Sequence, residues 1–281
     1  MAEGWFRKRF RPNEIAQQIG VAGDTLWEKC PKCGEIQYSA ELLKNLKVCK
    51  KCAFHYRLLA TERLEMLADN PDEFERWDEN LVTINPLEFP QYLEKLDSHR
   101  QKTGLSEAVL TGKTEIGGIT TAIGITDPYF KMGTMNSVVG ERLALCAERA
   151  SALDIPLIFI SGSGGGARME EGILSLMQMA KTAAAIGRYR RNTRRICICV
   201  LTDPSMGGTL ASWASLGDLI FAEPAAMIGF AGQRVSAQVQ SAKPPPGYQT
   251  SEFQLEHGQV DAVIHRRDLK DSIVNALQWA A

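Results

Sequence analysis

Pro156-Leu157-Ile158-Phe159-Ile160-Ser161-Gly162-Ser163-Gly164-Gly165-Gly166-Ala167-Arg168 is the stretch from which the rest of the chain is read. Its first five residues, branched and aromatic, read as a buried strand. The strand breaks into a run of small residues. Beyond it Ile173, Leu176, Met177, Ala180, Ala184 and Ile186 recur at helical spacing, and this face is expected to point inward. A second strand and turn follow: Ile196-Cys197-Ile198-Cys199-Val200-Leu201, then Thr202-Asp203-Pro204-Ser205-Met206-Gly207-Gly208-Thr209. Upstream, 108–111 and 119–125 read as strands joined through Gly117-Gly118, a hairpin signal. Val139, Leu143, Cys146, Ala150 and Leu153 then mark a helix. Downstream, short strands are expected at 219–222, 226–229 and 260–264, with a closing helix over 269–279. Strands alternate with helices, so the fold class is α/β. Cys146, Cys197 and Cys199 read as small packing residues.

Glycine permits close backbone approach, and a helix start leaves several N–H groups without partners. Each turn is therefore a candidate anion or oxyanion cradle. Gly162-x-Gly164-x-x-Ala167 fits a dinucleotide fingerprint, but the acid about 20 residues on that the fingerprint asks for is missing; the next strand ends at Asp203, well beyond it. A Walker A loop is excluded because no Gly-Lys-Ser/Thr is present. Tight turns without a ligand remain an alternative for either turn alone. Neither turn holds a histidine, and no nucleophile elbow with a recognisable base accompanies Ser161, Ser163 or Ser205. A pair of backbone donors for a thioester enolate fits this inventory better than a side-chain triad.

Four of the seven cysteines cluster as Cys30-Pro31-Lys32-Cys33 and Cys49-Lys50-Lys51-Cys52, a C-x2-C-x15-C-x2-C pattern. This spacing predicts one structural zinc with four thiolate ligands and no open position. An odd cysteine total excludes a complete disulfide framework. Net charge is −1 over 281 residues, with 23% charged and 44% hydrophobic residues. That composition excludes a largely disordered chain and a bulk polyanion binder. No apolar run approaches the roughly 20 residues of a membrane helix. The basic start, Met1 to Pro12, lacks the apolar core of a signal peptide and reads as a solvated arm. We expect three parts: an arm with the zinc ribbon (1–57), a solvated connector of short helices (58–107) and an α/β domain (108–281). Arg188, Arg190, Arg191, Arg194 and Arg195 form a basic run, read as a solvated face or as a contact for an anionic group.

Beyond the ribbon and the two turns, further motifs align in order. They are Met132-Gly133-Thr134-Met135-Asn136-Ser137-Val138, Ala167-Arg168-Met169-x-Glu171-Gly172, Ser175-Leu176-Met177-Gln178-Met179-Ala180-Lys181, Gly229-Phe230-Ala231-Gly232 and Leu255-Glu256-His257-Gly258. Together they resemble the carboxyltransferase β subunit of multisubunit, bacterial or plastid-type acetyl-CoA carboxylase over nearly the whole chain. The resemblance implies a crotonase-like domain of ββα units behind the zinc ribbon. It implies transfer of a carboxyl group from carboxybiotin, carried in trans on a biotin carboxyl carrier protein, to acetyl-CoA. The product is malonyl-CoA for fatty-acid synthesis, made in an ATP-binding complex. Implied partners are a carboxyltransferase α subunit in an α2β2 assembly, the carrier protein and biotin carboxylase, in cytoplasm or plastid stroma. The backbone N–H groups of Gly165, Gly166, Gly207 and Gly208 become the candidate catalytic donors, and Arg168 a candidate for substrate phosphate or the partner subunit. A salt bridge from Arg168 to Glu170 or Glu171 is the alternative.

The chain departs from the family pattern by a third glycine in Gly164-Gly165-Gly166 and by Asn136 where glycine is common. Deleting Gly166 is therefore expected to keep or raise activity. The competing function is a nucleic-acid-binding module, in which the lysine-rich ribbon, with Lys50 and Lys51, contacts nucleic acid weakly beside a non-catalytic domain.

Overall fold

The computed structural model describes residues 26–231 and 244–280. The arm Met1 to Pro12 and Gly232 lie outside the described residues. The chain begins with a hairpin of β1 (Trp27–Lys29) and β2 (Ile36–Tyr38), followed by α1 (Ser39–Lys44). Then come α2 (Ala60–Leu67), β3 (Glu75–Arg76) and α3 (Tyr92–Thr103). The main domain contains β4 (Val109–Ile116), β5 (Ile119–Thr126), α4 (Ser137–Leu153), β6 (Leu157–Ser161), α5 (Gly172–Asn192) and β7 (Cys197–Leu201). It closes with β8 (Ser205–Met206), β9 (Leu219–Ala222), β10 (Ile228–Gly229), α6 (Ser251–Glu256), β11 (Ala262–Val263) and α7 (Leu269–Trp279).

Seven strands form one sheet in the order β11-β9-β7-β6-β5-β4-β3. The β4–β5 pair is an antiparallel hairpin, with Ile116 opposite Ile119 across Gly117 and Gly118. Both glycines have positive φ (60° and 74°), as a two-residue hairpin turn with a right-handed twist requires. From β5 to β11 the neighbours run parallel, and β6 and β7 are buried along their whole length. Continuous apolar strands are what a parallel sheet covered on both faces selects. β8 and β10 pair separately and in parallel, just beyond the ends of β7 and β9. Asn136 caps α4 by accepting the Val139 N–H at 2.9 Å. Cys146, Cys197 and Cys199 are all buried, and burial pushes the Cys146 thiol up to about 12, so it behaves as an inert packing group.

Two expectations change. The 58–107 segment is no solvated connector: β3 extends the main sheet beside β4, and Trp77, Tyr92, Leu96 and Leu105 belong to the main core. A strand of two residues leaves no periodicity to read. The second change is in α5. Ile173, Leu176, Met177, Ala180 and Ala184 are exposed, and only Ile186 of the predicted face is buried. The buried side of the helix carries Ser175, Gln178, Thr182, Ala185, Ile186 and Tyr189. There Gly140 of α4 lies against Gln178 so closely that a Cβ would overlap it. Close crossing, rather than apolar bulk, decides this contact.

Candidate functional site

The ribbon site is built by two matching knuckles. Gly34 N–H donates to Cys30 O and Ala53 N–H to Cys49 O, both at 2.9 Å. Gly34 and Ala53 hold equivalent left-handed positions, φ 74° and 54°. The four Sγ atoms of Cys30, Cys33, Cys49 and Cys52 all lie within 4.8 Å of one another. Cys30 and Cys52 are 3.7 Å apart and Cys33 and Cys49 3.8 Å. A tetrahedron with bonds of about 2.3 Å has edges of about 3.8 Å, so the donor set fits zinc. Gln37 Nε2 donates to Cys49 Sγ at 3.2 Å, fixing one sulfur from outside the tetrahedron. Burial opposes ionisation of Cys30. The N–H groups of Cys33 and Lys32 and the neighbouring sulfurs outweigh it and bring the thiol down to about 6.

Around this site Lys50 pairs with Glu41, Lys51 with Glu35 and Lys47 with Glu62, at 2.7, 2.7 and 2.6 Å. The lysines that the nucleic-acid reading relied on are thus engaged within the chain. The ribbon is seated on the main domain by a buried cluster. Arg266 donates to both oxygens of Glu223 (2.8 and 2.7 Å) and to the carbonyls of Leu46 and Tyr56 (2.8 Å each). Arg63 of α2 pairs with the same carboxylate. Burial works against the Glu223 charge, but Arg63 and Arg266 hold its carboxyl well below the usual range. Sequence reading missed all three residues, because the contacts from Arg266 to the ribbon span more than 200 positions.

The glycine turns leave the carboxyl ends of β6 and β7, where ligands gather in open α/β sheets. Gly162 N–H donates to Thr126 Oγ1, Gly164 N–H to Met132 O and Met206 N–H to Ser163 O, which fixes both turns (2.8, 2.9 and 2.8 Å). The turns touch. Gly166 has φ +62°, and a Cβ there would lie 2.8 Å from Gly208 N. The N–H groups of Gly165, Gly166 and Gly208 have no acceptor among the described residues. Gly207 differs: its N–H donates to Gly229 O at 2.9 Å. Its candidacy as an oxyanion donor is corrected on that ground, and its left-handed φ of 64° serves to turn the chain toward Gly208.

The third glycine belongs to this packing. Gly164 faces Pro204, Gly165 presses on Thr134, and Gly166 O accepts the Met135 N–H at 2.8 Å. Removing one residue would break at least one of these contacts, so the expectation that deleting Gly166 is harmless is withdrawn. Of the serine hydroxyls, that of Ser161 is buried without a partner, and those of Ser205 and Ser163 are hydrogen-bonded, none to a histidine or carboxylate base. Ser205 Oγ donates to the carbonyls of Ser161 and Thr202 (3.1 and 2.9 Å), and Ser163 Oγ accepts from Thr209 Oγ1 (3.0 Å).

Arg168 is a correction as well. It is buried and meets neither solvent nor the acids beside it in sequence. Its guanidinium forms a two-pronged pair with Glu107 (3.1 and 2.8 Å) and donates to Tyr92 Oη, Thr134 Oγ1 and Thr134 O (2.9, 3.0 and 2.9 Å). Burial disfavours its charge, yet Glu107 raises its pKa above the ordinary arginine value. All its donors are committed, so it holds the turn and is not free for a substrate phosphate. Glu171 completes the knot, accepting from Thr83, Tyr92, Asn136 and the Ser137 N–H (2.6, 2.9, 2.9 and 2.9 Å). Burial opposes its ionisation, but these donors hold it below the usual carboxylate value. Of the basic run, Arg188, Arg190 and Arg195 pair with Glu148, Asp218 and Asp154 on an exposed face. Among the described residues no helix is long and apolar enough to cross a membrane.

The chain matches two known families. A family model described as the carboxyl transferase domain matches residues 73–244, and one described as the acetyl-CoA carboxylase zinc finger domain matches 27–52. The first begins inside the segment expected to be a connector. Among solved structures, transcarboxylase 12S with hydrolysed methylmalonyl-coenzyme A bound matches at TM-score 0.66 and 21% identity, over 79% of this chain and 41% of that one. A Pseudomonas malonate decarboxylase hetero-dimer matches at 0.61 and 18%, over 79% and 86%. A single-chain, multi-domain long-chain acyl-CoA carboxylase matches at 0.62 and 17%, over 84% and 22%. The chain thus spans less than half of the transcarboxylase chain. At these identities the likeness shows the fold.

Proposed function

Because the chain belongs to the carboxyl transferase domain family, with a crotonase-like α/β fold behind a four-cysteine ribbon, we propose that it is the β-type subunit of acetyl-CoA carboxylase carboxyltransferase. The reaction is transfer of a carboxyl group to the α-carbon of acetyl-CoA, giving malonyl-CoA for fatty-acid synthesis. The observation that carries this reading is the pair of touching turns whose N–H groups at Gly165, Gly166 and Gly208 have no acceptor among the described residues. Such donors stabilise the negative oxygen that a thioester carbonyl develops as its α-carbon becomes nucleophilic. Each one is worth about 3–4 kcal/mol of barrier. The ribbon match supports acetyl-CoA over longer acyl groups.

Carboxybiotin, borne by a carrier protein, would supply the carboxyl group as its N–C bond breaks, and the freed biotin nitrogen would take the α-proton that the thioester loses. The chain's own part is to seat the thioester, keep the turns rigid through Arg168, Glu107 and Glu171, and hold the ribbon against the main domain through Arg266. Zinc bound by Cys30, Cys33, Cys49 and Cys52 would be structural, closing the ribbon without touching substrate. The working assembly includes an α subunit, as α2β2, with the carrier protein and biotin carboxylase, in cytoplasm or plastid stroma.

The test is carboxyl transfer from malonyl-CoA to free biotin by this chain reconstituted with an α subunit. Transfer with malonyl-CoA well above that with methylmalonyl-CoA is the expected result. An assembled pair that transfers nothing would overturn the reading, and equal rates would remove the acetyl specificity.

A further inference from the structure

The loop between β5 and α4 passes the glycine turns in a strained conformation. Lys131 and Met132, neither of them glycine, have φ of 48° and 56°. This left-handed region is disfavoured for residues with a Cβ, and two in succession need a local reason. Lys131 is anchored: its Nζ pairs with Glu170 at 2.5 Å, and its carbonyl accepts from Thr134 Oγ1 at 2.9 Å. The backbone of Met132 meets the first turn through its carbonyl, which accepts the Gly164 N–H at 2.9 Å. Glycine would offer the same carbonyl without strain. What glycine lacks is the side chain, which is 60% exposed and does not serve the core. It lies along the first turn. Its Cβ is 4.0 Å from where a Cβ on Gly164 would stand, and its Cε 3.5 Å from where one on Gly165 would stand. A strained residue held against a candidate site points to function rather than to packing.

On the second turn, Met179 Sδ is 3.1 Å from where a Cβ on Gly208 would stand. Gly165 and Gly208 thus each have a thioether beside them, and the two differ in freedom. Met179 is half-buried on α5 and packed against the main core, a fixed wall. Met132 projects from a loop and can move over Gly165 once a thioester is seated. We propose that Met132 is a specificity-determining residue, whose side chain closes on the acyl group of the bound thioester and limits it to acetyl. The inference rests on the reading of the chain as an acyl-CoA carboxyltransferase subunit. With the thioester oxygen on the N–H groups of Gly165, Gly166 and Gly208, the carbonyl carbon bears the pantetheine sulfur on one side and the α-carbon on the other. The sulfur leads into a long arm that needs an open exit. The α-carbon needs an apolar wall that keeps water away and leaves room for the incoming carboxyl group. An unbranched, flexible thioether supplies such a wall and fills the space that a further methyl on the α-carbon would take. One methylene in an apolar pocket separates substrates by about 10–200-fold.

The experiment uses the full chain reconstituted with an α subunit of the same source. Met132→Gly removes the wall and the strain; Met132→Leu keeps an apolar side chain of similar size. The readout is kcat/KM for carboxyl transfer to free biotin from methylmalonyl-CoA relative to that from malonyl-CoA. Met132→Gly is expected to raise this ratio about 10-fold or more, and Met132→Leu to hold it near the wild-type value. The urea midpoint of Met132→Gly is expected to stay at or above that of the wild type, because relief of left-handed strain offsets the added freedom of the unfolded chain. An unchanged ratio in the folded glycine variant would overturn the proposal, and so would a wild type that does not discriminate. A second readout does not depend on turnover. With isotope-labelled methionine methyl groups, the Met132 resonance is assigned by its loss in Met132→Leu. It is expected to shift with acetyl-CoA and not with coenzyme A alone. Equal shifts, or none with acetyl-CoA, would also overturn the proposal. A wild-type pair that transfers nothing while this resonance answers to the acyl group removes the activity reading and leaves the assignment of Met132 standing.

Discussion

At Gly166 the backbone is left-handed, and a Cβ would lie 2.8 Å from the Gly208 nitrogen and 3.3 Å from Gly207 Cα. A side chain there strains its own φ by about 1–2 kcal/mol and pushes the second turn away. Gly166→Ala is therefore expected to cost a similar amount of stability and to lower carboxyl transfer about 100-fold, because displacement of donors by about 1 Å carries that penalty. Urea unfolding and the transfer rate measure the two effects. A variant with unchanged transfer would show that the turns need not touch. The sequence revealed the glycines and their chemistry, since small residues between a strand and a helix have few other uses. It did not reveal which N–H groups are already taken. That depends on Gly229, reached through a separate two-stranded sheet. Arg168 was legible as a special residue for the same reason that its role was not. A buried guanidinium needs a buried acid, and its acid is Glu107, 61 positions away.

Among the elements, strands were easier to read than the orientation of helices. β6 and β7 announced themselves as apolar runs. The hairpin turn at Gly117 and Gly118 also followed from residue type. For α5, helical periodicity identified an apolar face correctly but not the direction in which it points. The buried side begins with polar residues, where Thr182 Oγ1 donates to Gln178 O (2.9 Å) and Gln178 Nε2 to Leu174 O (3.0 Å), and ends with Ile186 and Tyr189. Thr182 and the Gln178 amide N–H are thus satisfied on their own helix, while Gln178 Oε1 stays buried beside Gly140 without a partner. Gly140→Ala is expected to destabilise the chain by about 1–3 kcal/mol through overpacking at this crossing. The chemical denaturation midpoint should drop without a change in zinc content. Unchanged stability would mean that the helices slide apart freely, contrary to the tight contact at Gln178.

For the molecule as a whole, cysteine spacing revealed the ribbon but not its seat. Arg266 reaches from the C-terminal part of the chain to the Leu46 and Tyr56 carbonyls and shares Glu223 with Arg63. Nothing periodic links these positions. The fold of the ribbon presents those carbonyls, and a zinc ion on its four cysteines would hold that fold. Removing zinc with a chelator, or Cys30→Ser, is expected to expose residues 26–57 to protease while the seven-stranded sheet keeps its circular dichroism. Zinc per chain should fall from about one to near zero in parallel. A ribbon that resists protease after full metal loss would show that Arg266 and Glu223 hold it unaided.

The sheet has a further consequence at its two ends. Its outermost strands, β3 and β11, are only two residues long, and β3 carries Glu75 and Arg76. Such edges offer almost no template for pairing with a neighbouring sheet. With both margins two residues long and one of them charged, the described sheet gives a neighbouring molecule too little edge to nucleate fibrils.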